Sequence, residues 1–257
     1  MKKTILLPIA FAFFYFNVNA QVSAQLVGKK LHVVSNLNTT TTMMGQDIPS
    51  VTEITNEFEI KSISEKSVSL TGVTKRMKIK ATAMGTEQNI DTDDPSAKDN
   101  PQLAQLFKEL NTAKDITAKI TKSSIPEDAT GVQNVADIAN ILFIPINSSS
   151  KEGSKIIDST IAENGSKSSD TLTVTKLTPD EITIQADNKL ILSGTKQQMG
   201  MDVKVNMTTT STATRIYDIK TGLLKSENRT FTSSGTNEAM GQSFPMAIKG
   251  TSSITIQ

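Results

Sequence analysis

The chain contains no cysteine, no tryptophan and only one histidine, and these absences narrow the chemistry open to it. Without cysteine it forms no disulfide and offers no thiol nucleophile or thiolate metal ligand. A single histidine excludes the histidine-rich zinc and copper sites. Phe and Tyr together number 11, and five of them lie within the first 16 residues. So few rings disfavour a site that stacks bases or sugars.

The charges of the chain almost balance, with 27 basic and 26 acidic residues. Removal of Lys2 and Lys3 with a leader would leave 25 basic and 26 acidic residues, a net charge near −1. A chain so close to neutrality does not attract polyanions over a distance. We therefore expect neither nucleic acid nor an anionic membrane surface as a partner.

The first 20 residues have the composition of a cleavable secretory signal. Lys2 and Lys3 precede an apolar run over residues 5–16, which is short for a membrane span, and small residues end at Ala20. The sequence predicts cleavage after Ala20, and no lipid anchor because no cysteine follows. We expect a soluble periplasmic or extracellular protein with no transmembrane segment in the mature chain, folded as one domain over residues 21–257.

Strict alternation of apolar and polar residues is the main pattern after the signal. In residues 57–61, 68–70 and 77–83 the apolar side chains fall on one face and the charged or hydroxyl side chains on the other. Such a period of two predicts half-buried antiparallel strands. We expect a mainly β fold, either a curved antiparallel sheet or an open barrel.

An internal repeat divides the β-rich part of the chain. Residues 58–70 align without gaps to residues 172–184, and the apolar positions and the turn coincide. With one insertion the repeat extends to about 58–90 and 172–205. Two related β-meanders explain this similarity, and chance likeness between alternating strands is the alternative.

Four Met-Gly pairs punctuate the strands, and each predicts the tip or the bulge of a hairpin, because glycine adopts positive φ at little cost. Two of the pairs are followed by Pro49 and Pro245, where we expect the chain to leave the ladder at an edge. The four pairs are Met44-Gly45, Met84-Gly85, Met199-Gly200 and Met240-Gly241.

A helical insert is predicted over about 100–143. Asn100 and Pro101 suit the start of a helix over about 101–112, and a strand follows around Ile116, Ala118 and Ile120. A second helical pattern runs over residues 132–142. We expect these one or two short helices to cover the concave side of the sheet, as in the half-barrel lipid carriers of the envelope.

The order of motifs resembles an uncharacterised family of secreted β-rich proteins of Bacteroidota, a domain of unknown function. The resemblance covers most of the mature chain. It implies the fold and an envelope location, and it implies no catalytic residue. It rests on Met84-Gly85, on Ile90-Asp91-Thr92-Asp93-Asp94-Pro95, on Tyr217-Asp218-Ile219-Lys220-Thr221-Gly222-Leu223 and on the closing Met240-Gly241-Gln242.

The candidates for acid–base chemistry or metal binding are few. His32 lies in a predicted strand, and we interpret it as structural or solvated, although an isolated imidazole could act as a base. Asp91, Asp93 and Asp94 offer oxygen ligands that suit calcium, but they lack the glycine turn and the distant glutamate of the best-known loop. We expect them to form a solvated turn that caps the next helix.

Three other patterns remain in the sequence. The segment 218–222 has the pattern of an Asx turn. Asp158-Ser159-Thr160 and Asp170-Thr171-Leu172 match the O-glycosylation acceptor of Bacteroidota. Seven methionines suit either a soft-metal site or the packing of an aromatic-poor core or pocket, and we favour packing. They are Met43, Met44, Met199, Met201, Met207, Met240 and Met246.

We conclude from the sequence that the chain is an exported, non-enzymatic binding protein of the cell envelope, with no cofactor and no catalytic or metal site. Its expected ligand is apolar, such as an acyl chain held in a concave sheet. A structural or protein-interaction module of the envelope is the alternative. A hydrolase with scattered catalytic residues is a third and remote one.

Overall fold

The computed structural model describes residues 22–83, 85–99, 103–120, 134–145, 150–162, 165–198, 201–239 and 241–257. The predicted signal, residues 1–20, lies outside these ranges, so its cleavage stays a prediction.

Eleven strands make up most of the described chain, and several are 16 to 18 residues long. Their bounds are β1 Lys30–Met43, β2 Gln46–Ile63, β3 Ser67–Ala83, β4 Thr86–Asp91, β5 Lys114–Lys119, β6 Lys155–Ile161, β7 Lys167–Leu177, β8 Glu181–Gln198, β9 Met201–Asp218, β10 Leu224–Ala239 and β11 Gln242–Ile256. The helices are short: α1 Ala104–Glu109, α2 Val135–Ala139 and the 3-10 turns Ala24–Leu26 and Pro95–Asp99.

All eleven strands belong to one antiparallel sheet, which confirms the predicted fold class. The strand order is β4-β3-β2-β1-β11-β10-β9-β8-β7-β6, and β5 pairs with β3 beside β4. The two predicted meanders therefore share a sheet, joined where β1 pairs with β11. The sheet is open, because β6 ends it on one side and β4 and β5 end it on the other.

Four hairpin turns lie at one end of the sheet, which we call the tip end. Met43 and Gln46 pair on either side of the turn Met44-Gly45, and the other three strand pairs end beside Met84, Met199-Gly200 and Met240, which lie outside the described residues. Met44 and Gly45 both have positive φ, 53° and 75°, as a type I′ hairpin turn requires. Pro49 lies in β2 and Pro245 lies in β11, and both are interior strands. Pro49 is one residue beyond the last residue of β2 that pairs with β3, and Pro245 is one residue beyond the last residue of β11 that pairs with β1.

The opposite, or base, end carries two hairpins of the same design, one in each half of the predicted repeat. At Ser64 the hydroxyl accepts from the amide of Ser67 at 3.1 Å, and at Thr178 the hydroxyl accepts from the amide of Glu181 at 3.0 Å. Both hairpins also contain a shift of register at the corresponding place, after Ile60 and after Val174. The two hairpins are therefore alike in backbone geometry as well as in sequence.

The main core lies at the base end, on the face that carries Leu31 and Val33 of β1, which we call the inner face. The other face is the outer face. Residues 134–144 cross the inner face and form one apolar cluster with strands from both halves of the sheet. Gly72 of β3 permits this packing, since a Cβ there would come within 2.9 Å of Val135.

Residues 134–144 connect strands from both halves of the sheet. Val135 packs against β3, whereas the carbonyl oxygen of Ile141 accepts a hydrogen bond from Tyr217 of β9. Five strand spacings separate β3 from β9, about 24 Å across a flat sheet. Because so short a segment contacts both strands and is buried on the inner face, we infer that the sheet curves around it with the inner face concave.

Both helices are shorter than the sequence pattern predicts. The first was expected over about 101–112 and spans Ala104–Glu109, while Asn100 and Pro101 lie outside the described residues. The second ends at Ala139, because the chain then bonds to the turn between β9 and β10, where Phe143 bridges Leu223. No helix within the described ranges is long and apolar enough to span a membrane.

Candidate functional site

His32 lies on the outer face of β1, as the alternation predicts, and its side chain is exposed. Its neighbour in the register on β2 is Glu57, which forms an ion pair with Lys30 at 3.5 Å. The imidazole is therefore far from the core and from the concave face. This placement agrees with a solvated histidine.

The three aspartates at the end of β4 and in the loop after it interact with Arg76 or with backbone amides. Asp91 accepts from Arg76 at 2.9 and 2.5 Å, and Asp93 lies 3.0 Å from the same guanidinium. The bonds from Arg76 hold the pKa of Asp91 at about 2, below its ordinary 3.8. Asp94 accepts from the amide of Ser96 at 2.9 Å, at the start of a 3-10 turn. The loop is thus organised by an arginine and by turn capping.

The described methionines pack or lie in solvent. Met207 is buried among leucines, and Met246 contacts that cluster and a second one beside it. Met43 and Met44 are exposed at the tip end. Met199 and Met240 and the side chain of Met201 lie outside the described residues.

The two acceptor triplets lie on adjacent strands, with Asp158 of β6 directly opposite Asp170 of β7. Ser159 is exposed on the outer face, so the hydroxyl is accessible, and its modification stays a prediction. The turn predicted at 218–222 is confirmed, because Asp218 accepts from the amide and the hydroxyl of Thr221, each at 2.8 Å.

The inner face is apolar again toward the tip end, beyond the main core. One cluster contains Leu37, Phe231 and Ile248, and another contains Leu190, Leu192 and Met207. The main contacts of the described helices are elsewhere, α2 with β3 and β5 and the turn at 24–26 with β2. We call these two clusters together the tip-side apolar surface.

Two glycines shape the tip-side apolar surface. Gly250 lies under the ring of Phe231, where a Cβ would meet the ring at 2.8 Å. Gly235 lies in register between Met207 and Met246, where a Cβ would come within 1.9 Å of the backbone oxygen of Asn206. Both positions are therefore closely packed, and neither has room for a side chain.

A charged triad separates the main core from the tip-side apolar surface. Glu227 of β10 is fully buried and bonds to Arg215 of β9 at 2.6 Å and to Arg229 at 2.9 Å. Burial alone would raise the pKa of Glu227, but Arg229 and Arg215 outweigh it and hold the pKa below its ordinary value. The sequence analysis missed this triad, although Arg215 lies two residues from Tyr217 and so shares its inward face.

Two buried polar side chains lie on the other half of the sheet, and Asn56 lies one inward-facing row nearer the base than Ser35, because it pairs with Val33. Ser35 of β1 occupies the same row across the strands as Ile254 and Glu227. Asn56 of β2 is 1% exposed, and its amide oxygen accepts from Thr74 at 2.9 Å. Ser35 Oγ and Asn56 Nδ2 have no hydrogen-bond partner among the described residues.

A groove of about 440 Å³ crosses the four central strands, lined by eight outward-facing residues and by Arg229 and Ser252, which alternate with them along the strands. All of its lining side chains are polar or charged. Its lining residues are Asn36, Asn38, Thr212, Thr214, Asn228, Arg229, Thr230, Thr251, Ser252 and Ser253.

Comparisons with known proteins give no family for this chain. No family model matches it, and no curated protein sequence is significantly similar. The resemblance to secreted Bacteroidota proteins therefore stays a prediction.

Two solved structures align with this chain at low scores. Lipovitellin, from a study of its lipid–protein interactions, superposes with a TM-score of 0.48 and 8% identity over 90% of this chain, which spans 25% of the lipovitellin chain. An outer membrane channel from Pseudomonas putida F1 gives a TM-score of 0.28 and 9% identity over 93% of this chain and 98% of the channel. At these values neither likeness carries an argument about function.

Proposed function

We propose that the protein is a non-enzymatic binding protein of the cell envelope, which holds an apolar ligand such as an acyl chain against its concave face. The observation that carries this proposal is the tip-side apolar surface. Its six buried side chains line a curved face on which the main contacts of the described helices lie elsewhere.

The composition of this surface suits a flexible acyl chain as the ligand. Ligand pockets are mostly apolar with a few polar groups, and methionine adapts its shape to an irregular occupant. Met246 contacts both clusters. An acyl chain laid along the strands would contact both clusters.

The non-enzymatic part of the proposal is supported by the partners of the ionisable groups. On the inner face the carboxylate of Glu227 is bound by two guanidinium groups, and the histidine lies on the outer face. The envelope location rests on residues 1–20 and their resemblance to a secretory signal.

The test is mass spectrometry of an organic extract from the protein, purified from its own host without detergent. We expect a stoichiometric lipid or other apolar molecule. An empty extract, with a known lipid carrier positive in parallel, would contradict the proposal. Leu192→Arg on the inner face should abolish the recovered ligand, while Ile191→Arg, the outward neighbour on β8, should leave it unchanged.

A second candidate function, a protein-interaction module, is favoured by the edge strand β6. Ile157 and Ile161 are 75% and 71% exposed on its outer face. The amide of Ala162 donates a hydrogen bond to the carbonyl oxygen of Ser166. The even-numbered residues of β6 therefore direct their backbone N–H and C=O groups toward β7, and the odd-numbered residues direct theirs toward the open edge. Such an edge pairs readily with another strand.

The sequence of β6 fits a second copy of this chain. Antiparallel pairing centred on Ser159 would place Ile157 opposite Ile161 of the partner subunit, twice by symmetry. Light scattering should then report a dimer that Ile157→Lys converts to a monomer, whereas the control Ile191→Lys stays dimeric. A monomeric wild-type protein would rule this candidate out.

A further inference from the structure

The tip end of the sheet carries one further inference, which adds a partner to the proposed function and is tested separately from it. We propose that the tip end docks on the surface of a bilayer of zwitterionic lipids, with the side chain of Met44 among the acyl chains. Within the described residues the inference is carried by the turn Met44-Gly45 and by the strand residues beside it.

Met44 combines an unfavourable backbone conformation with an exposed apolar side chain. Its φ of 53° lies in the left-handed region, which residues other than glycine, asparagine and aspartate rarely adopt, and its side chain is 71% exposed. Asparagine would suit the position better, because it adopts this conformation more readily and presents a polar amide to water. The stability of the turn therefore does not explain the methionine, and strain of this kind is concentrated at functional sites.

The same dipeptide recurs at all four turns of the tip end. The backbone explains the glycine, since Gly45, Gly85 and Gly241 share a φ of 75°. It does not explain the methionine, which the sequence places before the glycine each time although the chain has only 10 methionines. The three other methionines lie outside the described residues: Met84, Met199 and Met240. A shared apolar environment at this end of the sheet accounts for the recurrence.

The charges beside these turns are paired, which favours a zwitterionic surface over an anionic one. Lys80 pairs with Glu87 at 2.9 Å, and Lys204 pairs with Glu238 at 3.3 Å. The four side chains are 43–62% exposed, so they can stay in the hydrated headgroup layer while apolar turn residues enter the acyl layer. Binding would then depend on buried apolar area rather than on attraction to anionic lipids.

The tip end is also continuous with the tip-side apolar surface. One inward-facing row across five strands contains Met43, Met246, Gly235, Met207 and Leu192. Met43, the neighbour of Met44 in the chain, is 39% exposed, whereas Met207 is 2% exposed. The row thus joins the exposed turn to the buried clusters. A bilayer at the tip end would place the proposed ligand surface next to the lipid from which an acyl ligand would come.

The first test measures whether the secreted protein, purified from its own host, sediments with sucrose-loaded vesicles of phosphatidylcholine. Mass spectrometry first checks that the apolar run over residues 5–16 is absent, because it would bind lipid by itself. We expect the wild-type protein to sediment with the vesicles. Met44→Asn should weaken this binding by about tenfold, which is the effect of losing one apolar side chain from the acyl layer.

Two features of the variants make this test specific. Met44→Asn relieves the strained turn, so weaker binding would not arise from a less stable fold. Val51→Thr is the control, because Val51 is 50% exposed on β2 but lies about 17 Å along the strand from the turn, and this variant should bind like the wild type.

Three outcomes would overturn the inference. The first is a wild-type protein that stays in solution, and the second is a Met44→Asn variant that binds vesicles as tightly as the wild type. The third is binding that weakens steeply as the ionic strength rises, because it would assign the contact to charges. Light scattering covers a second copy as the occupant: self-association through Met44 without vesicle binding would also overturn docking on lipid.

A second measurement locates the contact. The chain contains no tryptophan, so Met44→Trp and Val51→Trp each introduce a single fluorophore. With vesicles of phosphatidylcholine whose acyl chains are brominated, the emission of Met44→Trp should be quenched and that of Val51→Trp should not. Absence of quenching at position 44, in a protein that sediments with the vesicles, would contradict docking through the tip end.

The combined results distinguish this inference from the proposed function. A ligand in the organic extract together with no vesicle binding would overturn the docking and leave the binding function intact. An empty extract together with vesicle binding that depends on Met44 would overturn the binding function and leave the docking intact.

Discussion

The hydroxyl of Tyr217 donates a hydrogen bond of 3.0 Å to the carbonyl oxygen of Ile141, 76 residues earlier in the chain. Tyr217 is fully buried, and burial raises its pKa to about 12, against an opposing effect of the nearby Arg215. The bond fixes the segment 134–144 to β9. It thereby holds in place the part of the core that the sheet curves around.

Tyr217→Phe should lower the free energy of unfolding by about 1–3 kcal/mol, because the carbonyl of Ile141 would stay buried without a partner. Chemical denaturation measures this loss. Thr214→Val, an exposed change on the same strand, should alter stability by less than about 0.5 kcal/mol. Equal stability of the two variants would show that water replaces the lost bond.

Gly72→Ala should also destabilise the protein, by about 1–3 kcal/mol, because the new Cβ meets Val135 at 2.9 Å and Ile116 and Phe58 at 3.0 Å. Val135→Ala makes room for it. In a double-mutant cycle the combined variant should therefore lose less stability than the sum of the two single changes. If the two losses of stability are strictly additive, α2 moves away from the new Cβ and the proposed clash does not occur.

The sequence predicted the sheet well because alternation depends on local geometry. The two repeat hairpins, 58–70 and 172–184, show this, since period and turn residues sufficed to place their strands. Helix ends were harder to predict. The apolar residues from Ile141 to Ile144 continue a helical spacing, yet their backbone groups bond to the turn at 222–224, a contact remote in sequence.

The candidate site was less accessible to sequence reasoning than the fold. Arg215, Glu227 and Arg229 look like ordinary exposed charges in threonine-rich strands, and only their parity with Tyr217 and Phe231 places them inward. The join of β1 to β11 could not be read from local pattern either. It brings Ser35 into the row of Glu227 through a pairing of the two ends of the chain.

The pKa of Asp91 offers a test of the loop after β4. Its folded-state pKa of about 2 lies below the ordinary 3.8, so its contribution to stability is present above about pH 4 and is lost as the pH falls toward 2. Arg76→Gln removes the principal cause. Carbon-detected NMR titration should then show the pKa of Asp91 rising toward its ordinary value, and an unchanged pKa would contradict the assignment to Arg76.

Met44 occupies a turn position that suits other residues better. Its φ of 53° is left-handed, and its side chain is 71% exposed. Since asparagine adopts this conformation more readily, Met44→Asn should stabilise the protein by about 0.5–1 kcal/mol. Gly45→Ala, with φ of 75°, should do the opposite. Thermal unfolding of the two variants distinguishes these effects by sign.

The charged triad of Arg215, Glu227 and Arg229 affects the stability of the fold. Glu227→Gln should lower the free energy of unfolding by about 3–5 kcal/mol, because two arginines would lose their buried partner. The wild-type protein, whose Glu227 has a lowered pKa, should also lose stability as the pH falls below about 4.5. Replacing the whole triad by Arg215→Met, Glu227→Leu and Arg229→Met should cost little stability or even increase it.

Denaturant unfolding of the wild-type protein, Glu227→Gln and the triple variant measures these differences on one scale. Because removal of all three charges leaves no buried ion without a partner, the triple variant should be more stable than Glu227→Gln. A triple variant that does not fold would show that the triad is required by the sheet itself.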